Sequence, residues 1–183
     1  VRTASSQTLI YVANGSTGLF DADGKAYADI DYIDEYAFTN YAGNTTEWEL
    51  PISVKTIGAS AFRNSKVTKL IFGGVTKIGN YAFDSSSIHT IVSSKNSTET
   101  GINFNENLTI LGDGAFRNCN SLTTITLPSS ITSISNNLFA NSSLTSINMP
   151  KVITIGDNAF SHSKLQSVRL SNLLEKIGVS VFE

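Results

Sequence analysis

The sequence predicts a repeat solenoid, predominantly β, and three observations carry that reading. First, the pattern Ile-x-x-x-Ala-Phe recurs as IDEYAF (33–38), IGASAF (57–62), IGNYAF (78–83), LGDGAF (111–116), ISNNLF (134–139), IGDNAF (155–160) and IGVSVF (177–182). Successive starts differ by 24, 21, 33, 23, 21 and 22 residues, so the unit is about 22 with one long interval. Second, the other half of each unit alternates apolar and polar residues, as a half-buried strand does. Third, the chain is 40% hydrophobic but only 15% charged. Its polarity comes from Ser, Thr and Asn, which suits flat strand surfaces better than long solvated helices.

The alternating half is clearest in LTTITLPSSITSI, where Leu122, Ile125, Leu127, Ile131 and Ile134 are the inward positions. Val67, Leu70, Phe72, Val75 and Ile78 match them, as do Leu144, Ile147, Met149, Val152 and Ile155, and Leu165, Val168, Leu170, Leu174 and Ile177. Trp48 falls on the core position of Ile125. Pro51, Gly73, Pro128 and Pro150 stop the strand and turn the chain. A short extended piece then leads into the Ala-Phe corner, where a single α or 3₁₀ turn is expected, too short to stand without packing. Gly58, Gly79, Gly112, Gly156 and Gly178 are expected to adopt a turn conformation awkward for a side chain, although Asp34 and Ser135 fill the same place. One unit cannot bury its apolar face alone, so stacked units share one core.

Two segments stand outside the period. Residues 1–29, including TLIYVANGSTGLFDADG, read as two strands joined by a turn, an N-terminal cap on repeats spanning 30–183. Residues 93–107, SSKNSTETGINFNEN, read as an insertion between a strand and Leu108. The chain opens without Met, which suggests a removed leader or an excised piece, and it stops mid-unit at Phe182-Glu183, which suggests a truncated chain or a naturally short C-terminus. An uncovered last coil would leave strand edges open to end-to-end association.

The stretch LGDGAFRNCNSLTTITLPSSITSI, with Cys119 and Pro128, resembles the BspA-like leucine-rich repeats of bacterial and protozoan surface proteins. Their pattern runs L-x-x-I-x-L-P-x-x-V/I-x-x-I-G-x-x-A-F-x-x-C-x-x-L. The resemblance covers residue 30 onward; most copies here lack the Cys and are one residue shorter after the Phe. It implies a leucine-rich-repeat right-handed superhelix, with a concave parallel sheet and short strands and helical turns on the convex side. It also implies adhesion or protein binding at a cell surface or in secretion, with an extracellular matrix or host surface protein as partner. It carries over no catalytic residue and no cofactor.

The residues themselves offer little chemistry. A net charge of −2 gives no field for nucleic acid, and no apolar run approaches a membrane span. Gly followed by Ala-Phe lacks the Lys of a phosphate loop. His89 and His162 read as polar turn residues, with no converging metal ligands and no oriented nucleophile. Cys119 reads as a small buried hydrophobe. Asp21-x-Asp23-Gly24 echoes a calcium loop without its distal Glu and reads as a tight turn. Asn14, Asn44, Asn96, Asn107 and Asn141 head Asn-x-Ser/Thr triplets, as expected by chance in such a composition.

Binding is therefore expected on outward strand positions of the concave sheet, where solenoids meet partners. Period 2 assigns these as Glu47 and Glu49, Lys69 and Ile71, Thr90 and Val92, Thr124 and Thr126, Ser146 and Asn148, and Ser167 and Arg169. Ile71 and Val92 are the apolar pair among them. The insertion at 93–107 competes as a binding loop. A glycan-binding module, or a spacer presenting another domain, are the alternatives to a protein-binding one.

Overall fold

In the computed structural model, residues 31–44 and 46–183 are described. The N-terminal cap, the Asp21–Asp23–Gly24 turn and Asn14 lie outside them. Among the described residues thirteen short strands, numbered β1 to β13 in chain order, are divided between two sides of a solenoid of about seven turns, and all strand pairs are parallel. Among the described residues there is no helix.

On one side β2 (Glu47–Glu49), β4 (Lys69–Ile71), β6 (Thr90–Val92), β7 (Ile102–Asn103), β9 (Thr124–Thr126) and β11 (Ser146–Asn148) form a six-stranded sheet. On the other run two-residue strands: β1 (Tyr32–Ile33), β3 (Thr56–Ile57), β5 (Lys77–Ile78) and β8 (Ile110–Leu111), then a break, then β10 (Ser133–Ile134), β12 (Thr154–Ile155) and β13 (Lys176–Ile177). Trp48, Leu70, Ile91, Ile102, Ile125 and Ile147 point inward from the first side. Ile33, Ile57, Ile78, Leu111, Ile134 and Ile155 meet them from the second.

Between the two sides stands the phenylalanine of every repeat. Phe38, Phe62, Phe83, Phe116, Phe139, Phe160 and Phe182 stack in sequence, with neighbouring ring centroids 5.2 to 5.9 Å apart and planes within 22°. Each inner ring is wholly buried. Burial of such a side chain is worth about 1.5–3 kcal/mol, and each ring pair adds roughly 0.5–1.5 kcal/mol. Trp48 closes the first coil edge-on against Phe38 and Phe62.

The Ala-Phe corner is not the expected helical turn. The Ala61 and Arg63 amides donate back to Gly58 and Ser60, while those of Ser60, Phe62 and Asn64 donate to Asn80, Ala82 and Asp84 in the next coil. A helix would keep these donors within its own segment; here every second one holds the stack together. The alternation needs two left-handed residues per coil, such as Ser60 (φ 53°) and Asn64 (φ 54°), and Asn tolerates that region well. His162 (φ 55°) occupies the place of Asn64, Asn118 and Asn141, so the sequence reading of a polar turn residue holds.

The recurrent corner glycine has a different cause from the one expected. Gly58 and Gly79 are not left-handed; a Cβ on Gly58 would sit 2.7 Å from the Ile33 carbonyl oxygen, and one on Gly79 2.8 Å from the Ala59 nitrogen. The coils approach too closely for a side chain. Their amides accordingly donate to the coil before, Gly58 to Ile33 O and Gly79 to Ile57 O, both at 2.8 Å. At Ser135 the hydroxyl donates to Leu111 O instead, and the two-residue ladder divides at that coil, between β8 and β10. Asp34 is tolerated in the first described coil.

The expected insertion contains an additional strand. β7 lies between β6 and β9, with Ile102 in register with Ile91 on one side and Ile125 on the other. From Ile91 to Ile102 is 11 residues, the same as the excess of the long interval (33 − 22). One long-sheet strand has in effect been added without its partner on the second side.

Candidate binding surface

The outward residues of the long sheet lie in two rows that follow from strand register. One runs Glu47, Lys69, Thr90, then Gly101 just before β7, then Thr124 and Ser146. The other runs Glu49, Ile71, Val92, Asn103, Thr126 and Asn148. Sequence reasoning missed Gly101 and Asn103, though INFNENLTILG (102–112) matches ITLPSSITSIS (125–135) position for position. Gly101 has φ +79° and sits against the Thr124 side chain, where no Cβ would fit. Asn103 Nδ2 donates to Thr100 O at 3.0 Å.

Glu47, Glu49, Thr124, Thr126, Ser146 and Asn148 are exposed, and Thr90 and Lys69 half-buried. Lys69 Nζ lies 3.6 Å from Glu47 Oε2, and His89 Nδ1 lies 2.9 Å from Thr90 Oγ1. Two expectations fail on this face. Ile71 is 7% and Val92 0% exposed, although neither belongs to the main core. The segment after β6 turns back along this row: Lys95 Nζ reaches Glu49 Oε2 at 3.9 Å, one strand beyond Ile71 from Val92. Ser167 and Arg169 are exposed but belong to no strand, because the sheet stops at β11. Leu170 and Leu173 stay uncovered there, so burial does not hold that stretch extended.

The opposite corner carries an ion-pair network that the period alone does not reveal. Arg63, Asp84 and Arg117 each follow the repeat phenylalanine. The Asp84 carboxylate, 1% exposed, forms an ion pair with Arg63, whose Nε lies 3.1 Å away, and accepts hydrogen bonds from Arg117 Nε at 3.0 Å and Asn118 Nδ2 at 2.9 Å. Arg117 also lies over the Tyr81 ring, 5.0 Å from its centroid. Its hydrogen bonds to Asp84 raise the guanidinium pKa above the usual value. Three successive coils are thereby tied together, and both arginines reach solvent.

Cys119 is fully buried, its Sγ 3.1 Å from Phe83 O, and burial pushes the thiol up to about 12. Ser65, Ser86 and Ser142 fill the equivalent place, so the position selects a small side chain. Among the described residues no three His, Cys, Asp or Glu side chains gather as metal ligands, and no helix is long and apolar enough to cross a membrane.

Comparison with known proteins agrees with this geometry. A leucine-rich cell surface protein from Faecalibacterium prausnitzii A2-165 superposes with a TM-score of 0.67 at 21% identity, over 98% of this chain and 53% of that one. A leucine-rich repeat protein from Bacteroides ovatus ATCC 8483 gives 0.56 at 22% identity, over 85% and 45%. The chain thus spans about half the length of these solved relatives. No curated protein matches at a significant level. The model of the BspA type leucine-rich repeat region matches in six copies, over residues 31–103 and 94–183. The chain therefore belongs to the BspA-type leucine-rich repeat family.

Proposed function

We propose that this chain is a non-enzymatic protein-interaction module of a secreted or surface-displayed protein, binding an extracellular matrix or host surface protein through the outward face of the long sheet. The observation that carries the reading is the open end of that face. Thr124, Thr126, Ser146 and Asn148 project from two paired strands held rigid by the core beneath, and all four are exposed. Leucine-rich repeats commonly use such an extended sheet surface for partners. The similarity to a leucine-rich cell surface protein of Faecalibacterium prausnitzii supports the location.

The test is binding to immobilised matrix proteins and host cells by the wild type and by a Thr126→Lys, Asn148→Lys double variant. These changes leave the core untouched, so folding is retained. Binding by the wild type that falls at least about tenfold in the variant, a loss of roughly 1.4 kcal/mol, supports the reading. Unchanged binding by the variant removes the face from consideration. Retention on a glycan array with no protein ligand found would replace the reading with a carbohydrate-binding one.

A further inference from the structure

The buried pair Ile71 and Val92 is the anomaly of this surface. Every fully outward neighbour is polar, and the exposed ones show that sheet neighbours alone do not cover a side chain here. What lies beside the pair is the strap of residues 93–101, SSKNSTETG, which contains no apolar side chain. Its internal hydrogen bonds are local: Ser97 N to Ser94 O, Asn96 N to Ser94 Oγ, Glu99 N to Ser97 Oγ. Its side-chain ion pair across the sheet joins Lys95 to Glu49, groups 64% and 46% exposed. A polar segment thus turns back along the row of the two apolar side chains, its middle latched by one solvated ion pair and its end tied by Asn103 Nδ2 to Thr100 O and Ile91 N to Gly101 O. Solvated ion pairs hold weakly.

From this we infer that the strap is a displaceable stand-in for a ligand. Beneath it is a recognition site for an extended protein segment pairing a basic side chain with an apolar one. Lys95 marks where the basic group goes, because Glu49 is left without its lysine partner once the strap lifts, while Lys69 remains engaged with Glu47. Ile71 and Val92 mark where the apolar group goes, one and two strands further along the same row. Charge complementarity selects a basic over an acidic segment. The inference rests on the reading of this sheet as the binding face.

The test compares wild type, Lys95→Glu, the charge exchange Glu49→Lys with Lys95→Glu, and Ile71→Ser combined with Lys95→Glu. Amide hydrogen exchange at residues 94–100 reports the latch without any partner. Fluorescence anisotropy reports binding of a short labelled peptide alternating lysine and leucine, against a matched glutamate–leucine peptide. Lys95→Glu is expected to speed exchange in the strap and to tighten the lysine–leucine peptide by roughly three- to tenfold. The charge exchange restores slow exchange, and the Ile71→Ser combination loses the gain in binding. Unchanged exchange in Lys95→Glu overturns the inference, as does a gain that survives Ile71→Ser or is shared by the glutamate–leucine peptide. If the peptide results hold while no matrix or host protein binds, the proposed function fails and the strap site stands. If a matrix protein binds but the strap variants behave as wild type, the reverse is concluded.

Discussion

Removing residues 92–102 should convert the long interval into an ordinary repeat. The deletion joins Ile91 to Asn103 and gives HTINFNENLTILG, which aligns with TTITLPSSITSIS (123–135) residue for residue. Ile91 stays inward, Asn103 takes the outward place of Thr126, and Phe104 takes the inward place of Leu127. What is lost is β7 and two buried side chains, Val92 and Ile102, each worth about 1.5–3 kcal/mol. Against that, the chain no longer closes the nine-residue connection between β6 and β7, which relieves roughly 2 kcal/mol, and β6 pairs directly with β9. The net loss should stay within about 4 kcal/mol. Deleting 92–101 instead leaves one residue too many, so Ile102 turns outward, Asn103 inward and Phe104 outward. Burying that amide without a partner costs about 1–3 kcal/mol, and losing Phe104 and the inward Ile102 roughly doubles the damage. The sum approaches the whole stability of an ordinary domain, about 5–15 kcal/mol. Urea denaturation followed by Trp48 fluorescence and far-UV circular dichroism separates the two. If the deletion of 92–102 is no more stable than that of 92–101, the account of the interval as an added strand in register is wrong.

Three further outcomes follow from the core and the corners. Phe83→Ala, in the middle of the ring stack, should destabilise by about 3–5 kcal/mol, whereas Phe182→Ala, whose ring is 48% exposed, should cost well under half of that in the same denaturation series. Gly79→Ala should cost about 1–3 kcal/mol through overpacking against the Ala59 backbone; Ser135→Gly, which removes the side chain at the break, should change stability by less than about 1 kcal/mol while increasing amide protection around 133–135. Cys119 should resist iodoacetamide at pH 8 until the chain is unfolded. Because folding raises its pKa to about 12, stability from keeping the thiol neutral is complete below about pH 8.5 and is lost as pH rises towards 12; Cys119→Ser abolishes that alkaline loss.

Much of the fold was legible because inward residues repeat under one rule. Ile155, Ala159, Phe160 and Trp48 each have a counterpart in other coils, and their burial follows from the period. The strand β7 was equally visible in INFNENLTILG, but TIV at 90–92 had already satisfied the pattern and concealed the second match. The glycines misled because two physical needs, a left-handed backbone and a missing Cβ, select the same residue; only the distance to the preceding coil tells them apart. The candidate surface was legible as positions but not as exposure. Alternation assigns Ile71 and Val92 to the outward face correctly, yet whether they meet water depends on where a polar strap comes to rest, and no periodic signal encodes that. The clamp of Arg63, Asp84 and Arg117 escaped for a related reason: residues one step past the phenylalanine become neighbours only once coils are stacked.

The stacking of rings and of corner amides along one direction has a mechanical consequence. Hydrogen bonds such as Phe62 N to Ala82 O and Phe83 N to Ala115 O point from coil to coil, so tension along the solenoid axis loads them end-on, one layer at a time. Each coil that peels away releases about 22 residues, or roughly 70–80 Å of extended chain, in exchange for one layer of the stack. Under a steady pull the molecule should therefore lengthen in near-equal steps, as a tether that yields gradually, with the layer clamped by Asp84 the last to give way.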